Sequence, residues 1–251
     1  MYAEGVIWKY YWFDQIKKYK ELEMNVNVRY GPAYALAMVT LDHKETIQVE
    51  SGAMVGMSPS LEMETEAKGG FLKSLGRSMF GGESFFLNTY TASSHGDTVA
   101  LAPPLPGDIA VIEMHGETLM VQSGSYLASS EGINVETKWS GAQTFFGSEG
   151  LIMLRISGTG TLIVSSYGAI HHMELDAGEQ YVVDTGHLVT FEEHLEFNVK
   201  KVAGWKSTLF SGEGLVIELT GPGNLTLQSR SQDSFLSWLI PQLPKNTSSS
   251  S

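Results

Sequence analysis

The chain has no cysteine in its 251 residues, so any chemistry it does falls to histidine, carboxylate and hydroxyl side chains. No thiolate nucleophile, thiolate metal site or disulfide framework can form, which fits a reducing compartment. The densest set of reactive types is His171-His172, followed by Glu174, Glu179 and then His187. Imidazoles and a carboxylate can share a metal ion, and on a double-stranded β-helix this set resembles cupin metal sites. Two features count against a metal. Adjacent residues of a strand point to opposite faces, so at most one of His171 and His172 faces inward. The spaced His-x-His of a cupin is also missing. His187 is the best single candidate for something specific, because Ala53 and Ser125 hold the matched positions in the repeat described below. Even there, a histidine satisfied structurally is the preferred reading. His43, His95, His115 and His194 sit near turns and read as surface.

Glu83, Glu149 and Glu213 recur at matched positions and could form a carboxylate ring that shares protons or binds a cation. The preferred reading is that each orients a turn by accepting backbone N–H groups. Glu45, Glu117 and Glu179 are treated alike, at strand starts. The stretch Gly69–Gly82 is basic and apolar in an acidic chain. Phe71, Leu72, Leu75 and Met79 fall at helical spacing, with Lys73, Arg77 and Phe80 beside them. An amphipathic element of this kind can touch a membrane surface or a partner. More often such a stripe covers core, and Gly76 weakens any helix there. Asp97 and Asp108 flank Ala102-Pro-Pro-Leu-Pro-Gly107, a rigid connection expected to cross from strand to strand. No phosphate-binding loop, G-x-S-x-G elbow or Ser/His/Asp spacing is present.

The elements that must hold these residues are strands. A polar strand start, then V-x-[ST]-G, then a second alternating strand occurs three times: Glu45–Thr65, Glu117–Thr137 and Glu179–Val199. The anchors Gly52, Gly124 and Gly186 mark expected turns or bulges that need positive φ or close backbone approach. Apolar pairs stand at matched places before each anchor (Ile47/Val49, Leu119/Val121, Tyr181/Val183) and after it (Leu61/Met63, Ile133/Val135, Leu195/Phe197). Alternation of this kind puts one face of a strand on a core. A second phrase alternates with the first, and its glutamates are 66 and 64 residues apart (149 − 83 and 213 − 149). The chain reads as all-β: three tandem units of roughly 65 residues in one pseudo-threefold body. The units are expected at about 33–101, 107–165 and 169–230 within a single domain over 25–240. Residues 1–24 form an extension with an aromatic cluster, Trp8 to Phe13. Three readings of it stay open: a helix packed on the body, a docking peptide, or a misassigned start codon. Ser234–Ile240 is an apolar C-terminal segment, and 241–251 is a polar tail expected to be disordered.

The net charge of −12 repels phosphate backbones, so nucleic acid is not an expected partner. No run of 18 apolar residues spans a bilayer. Lys9, Asp14 and Lys17-Lys18 interrupt any secretory signal, and a cytoplasmic location is expected.

Gly52-Ala-Met-Val, Gly82-Glu-Ser-Phe-Phe-Leu-Asn-Thr, Leu101-Ala-Pro-Pro-Leu-Pro-Gly-Asp108, Val121-Gln-Ser-Gly-Ser-Tyr-Leu-Ala128, Val183-Asp-Thr-Gly-His-Leu-Val189 and Ser211-Gly-Glu-Gly-Leu215 resemble the altered-inheritance-of-mitochondria family. The likeness runs from about Ala33 to Arg230. It implies a body of three β-sandwich or short double-stranded β-helix subdomains, similar to the tryptophan-RNA-attenuator protein fold. Its bacterial members are largely uncharacterised, and its mitochondrial ones are linked to inner-membrane organisation. The resemblance brings no catalytic residues and no cofactor, and fold likeness to an RNA-binding protein does not imply RNA binding.

The expected function is therefore a non-enzymatic scaffold or protein-interaction protein, with a protein partner or a membrane surface at its exposed segments. The alternative is a small-ligand- or metal-binding β-helix protein, an enzyme included, centred on His187 with His171 or His172 and Glu179. A third option, a self-assembling structural protein or homo-oligomer, depends on exposed strand edges that the sequence does not reveal.

Overall fold

The computed structural model describes residues 24–65, 79–80, 83–84, 87–136, 152–201 and 215–243. The extension before Met24, the Phe71–Arg77 stretch, Glu149, Glu213 and the tail after Leu243 lie outside the described residues. The chain is all-β, with one short helix among the described residues. Its strands are β1 (Asn25–Arg29), β2 (Leu36–Leu41), β3 (Thr46–Glu50), β4 (Met54–Met57), β5 (Leu61–Thr65), β6 (Met79–Phe80), β7 (Glu83–Ser84), β8 (Leu87–Ala92), β9 (Asp97–Leu101) and β10 (Ile109–Gln122). They continue with β11 (Tyr126–Ser130), β12 (Ile133–Glu136), β13 (Met153–Ser165), β14 (Ile170–Leu175), β15 (Gln180–Asp184), β16 (Leu188–Glu192), β17 (Glu196–Lys201), β18 (Leu215–Thr220) and β19 (Gly223–Gln228). Helix α1 (Gln232–Leu239) follows, started by Ser231, whose Oγ accepts the Ser234 amide. Among the described residues no helix is long and apolar enough to cross a membrane.

Period-2 alternation forms these strands. In β3, Ile47 and Val49 are fully buried and their neighbours only partly so. One pairing scheme then appears in each third of the chain. In the first, β9 lies between β2 and β4, and β8 lies between β3 and β5. In the last, β19 lies between β14 and β16, and β18 lies between β15 and β17. In the middle, the long strands β10 and β13 replace two short strands each, and β13 also carries β11 and β12. A bulge falls at the start of β4, β11 and β16, after Met54, Tyr126 and Leu188.

This corrects the hairpin expected at the anchors. The two strands of each first phrase are not paired with each other; they flank the strand of the second phrase. Between them stands a short extra strand, β4, β11 or β16, which turns away to another partner. Only Gly52 has the positive φ expected of all three anchors, at 94°. Gly124 and Gly186 lie in 3-10 turns instead, where no left-handed residue is needed.

Three apolar clusters rather than one fill the interior. They centre on Val39, Ile47 and Leu101; on Val121, Tyr126 and Ile156; and on Phe191, Ile217 and Leu219. Each borrows side chains from a neighbouring third: Leu127 and Ala128 join the first, and Met120 and Met153 the last.

Candidate functional site

His171 and His172 are adjacent in β14 and both are exposed. The His172 ring shares a hydrogen bond through Nδ1 with Thr226 Oγ on β19, at 3.2 Å. Glu179 accepts the Asp176 amide at 2.9 Å, just as Glu45 accepts that of Asp42 and Glu117 that of His115, both at 2.7 Å. Glu45 and Glu179 fix turns just before strands, whereas Glu117 lies within β10 at the register shift between His115 and Thr118 rather than at the strand start expected. Among the described residues no three histidine, aspartate or glutamate side chains converge as a metal ion requires. The fold therefore does not gather His171, His172, Glu179 and His187 into a metal centre.

His187 has a different setting. It ends the 3-10 turn after β15, and its Nδ1 lies 2.8 Å from the Gln228 carbonyl. A carbonyl can only accept, so Nδ1 carries the proton and Nε2 of the neutral ring keeps its lone pair. The Gln228 side chain returns the tie by donating to the Gly186 carbonyl at 2.9 Å. Gly186 is required here by crowding rather than by φ: a Cβ would lie 2.6 Å from Ser231 Oγ. These bonds fix the start of α1 over the turn and leave a cleft of about 510 Å³ lined by Tyr167, His187, Ser229, Arg230, Ser231, Ser234, Phe235 and Trp238. Its aromatic wall is ordered by edge contact of Tyr167 with Phe235, ring centroids 6.1 Å apart. A guanidinium and an aromatic wall suit a small anionic ring compound, and the imidazole lone pair suits a hydroxyl or N–H donor on it. Sequence reading singled out His187 but missed Arg230 and Tyr167, which reach it only through the β19–α1 junction.

A second feature was invisible in the sequence. Neighbouring thirds are stitched by antiparallel seams: β11 on β3, and β16 on β10. Both seams share one register. The residue four after an anchor meets the residue three before the previous anchor: Ala128 opposite Val49, Thr190 opposite Val121. Each seam joins two three-strand groups into one continuous sheet, and the ten-stranded sheet contains both. The equivalent strands for a third seam are β15 and β4. Among the described residues they end the three-stranded and four-stranded sheets and are paired on one side only. The apolar residues that seams bury are exposed there. Val55 is 63% exposed, whereas its counterparts Leu127 and Val189 are fully buried. Val182 is 54% exposed, whereas its counterpart Met120 is fully buried.

The family model described as mitochondrial biogenesis AIM24 matches residues 26–230. The chain belongs to the AIM24 family. An uncharacterised protein of Streptococcus pyogenes serotype M6 is 29% identical to it, over 85% of this chain and 89% of that protein. A crystal structure of a Streptococcus pyogenes protein superposes with a TM-score of 0.73 at 25% identity, covering 88% of this chain and all of the other.

In this AIM24 member the groups with displaced pKa values do structural work. Burial pushes the Tyr126 phenol well up, where it bonds Ser129 at 2.7 Å beside the first seam. Hydrogen bonding from Ser60 holds Asp97 low, together with the amides of Ser94 and Ser93. The Glu193 carboxylate raises the Arg155 guanidinium, which it clamps at 2.6 and 3.1 Å. Arg155 also faces Glu136 at 3.5 Å. Each of these groups locks a turn or a seam.

Proposed function

We propose that this AIM24 protein is a cytoplasmic, non-enzymatic scaffold of three like β-units that works through the surfaces it displays. The observation carrying this reading is the pair of exposed apolar edges, β4 and β15: the counterparts of Val55 are buried in both internal seams, and that of Val182 is buried in the second. The displaced ionisable groups support it, because their partners are turn amides, serines and opposite charges within the fold. The test is gradient fractionation of native extracts from the source cells, with wild type against Val55→Lys combined with Val182→Lys. A scaffold migrates well above its monomer mass, and the edge variant falls back to monomer. Wild type migrating as a monomer in both soluble and membrane extracts overturns the reading.

The cleft at His187 favours a second reading, the binding of a small anionic aromatic ligand. Arg230 would hold the anion, the Nε2 lone pair of His187 would accept from a hydroxyl or N–H of the ligand, and Trp238 and Phe235 would hold the ring. Quenching of tryptophan fluorescence by an aromatic carboxylate, lost in Arg230→Ala, supports this. An unchanged signal across such compounds ends it.

A further inference from the structure

We infer that the two unpaired edges are the halves of an intermolecular seam: β4 of one copy pairs antiparallel with β15 of a second copy of this chain. The inference rests on the scaffold reading above and names its partner. The chain itself supplies the design twice. In both internal seams a strand following one anchor pairs with the strand preceding the previous anchor, antiparallel and in the same register. Carried to the remaining edges, that register sets Gly56 opposite Val183, Met57 opposite Val182 and Ser58 opposite Tyr181. The resulting sheet, β2-β9-β4 joined to β15-β18-β17, repeats the six-strand pattern of the other two, with β1 added beyond β2.

The chemistry of the edges agrees. An unpaired edge is a template for another strand unless charge protects it. Three other outer strands carry such charge within their length: Glu62 and Glu64 on β5, Glu174 on β14, and Glu196, Lys200 and Lys201 on β17, while β1 has Arg29 at its end. β4 has none, and β15 has only Asp184, at its end. Met57, Tyr181 and Val182 would then be covered as Phe191, Leu119 and Met120 are in the second seam. A charged or polar partner gains nothing from these edges, whereas each is the complement of the other. Because the two edges differ, each contact joins unlike surfaces, and its repetition closes a ring of copies or extends as a filament.

The absence of cysteine gives a clean test. Met57→Cys and Val182→Cys are made singly, mixed under mild oxidation and run without reductant. Both sites are exposed, so folding is preserved, and circular dichroism checks it. The expected result is a disulfide-linked dimer from the mixture, at a yield well above either variant alone. Light scattering of the wild type should show an assembly that Val55→Lys with Val182→Lys reduces to monomer. An internal disulfide in the Met57→Cys, Val182→Cys double variant, with no dimer from the mixture, overturns the inference by closing the seam within one chain. So does a wild type that is monomeric at every concentration. If the edge variant still loses its native complex in cells while the purified chain stays monomeric, the second copy is excluded as occupant and the scaffold reading stands.

Discussion

Leu127 and Val55 hold the same place, three residues after Gly124 and Gly52, but only the first lies in a closed seam. Their truncation to alanine should therefore differ sharply. Leu127 is fully buried among the first apolar cluster, with Ala128, Ile47 and Val49. Removing its branched end leaves a cavity that the paired strands cannot collapse, so Leu127→Ala should cost about 2–5 kcal/mol. Val55 is 63% exposed and loses little contact. Val55→Ala should cost no more than about 1 kcal/mol, the span of strand propensity at a solvated position. The assay is equilibrium denaturation followed by far-ultraviolet circular dichroism, repeated over a dilution series. At the lowest concentration, where copies separate, the full difference should be present. A Val55→Ala loss equal to that of Leu127→Ala at every dilution would show that β4 is covered within the single chain. A small loss for Leu127→Ala would show that the internal seams are not packed as described. Either result refutes the open-seam reasoning.

Gly52→Ala should destabilise by about 1–2 kcal/mol, since its φ of 94° is strained for an L-residue although nothing crowds the site. Gly124→Ala, with neither positive φ nor crowding, should be neutral or slightly stabilising, and thermal melts of the two variants compare them. Glu193→Gln removes the clamp on Arg155; both side chains are about a quarter exposed, so the loss should be about 1 kcal/mol and shrink with added salt, as denaturant midpoints at low and high salt will record. Asp97 is more acidic folded than unfolded, so its contribution is in place above the ordinary value of 3.8 and vanishes as pH falls through the lower folded value. Asp97→Asn should therefore flatten the acid limb of a stability profile, and an unchanged limb would remove Asp97 from the account.

The strands were legible because alternation is a local property. Ile47 and Val49, Ile133 and Val135, and Leu195 announce a buried face by their spacing alone, and each is buried. The repeated glutamates before the anchors were legible for the same reason: a carboxylate that accepts an amide two or three residues away needs no distant partner. Membership of the AIM24 family was also carried by contiguous phrases. What spacing could not convey was which strand lies beside which. The two alternating strands that flank Gly52 in the repeat, β3 and β5, look like a hairpin in sequence, yet each pairs with β8, because sheet pairing is decided by long-range registry. His187 read as a structurally satisfied histidine, but its partner, the Gln228 carbonyl 41 residues on that accepts from Nδ1, could not be read from spacing. Val55 and Leu127 are equivalent as letters, both apolar and both three after an anchor. Only the tertiary arrangement separates them, because burial depends on whether a neighbouring strand arrives to cover the edge, and for β4 none among the described strands does.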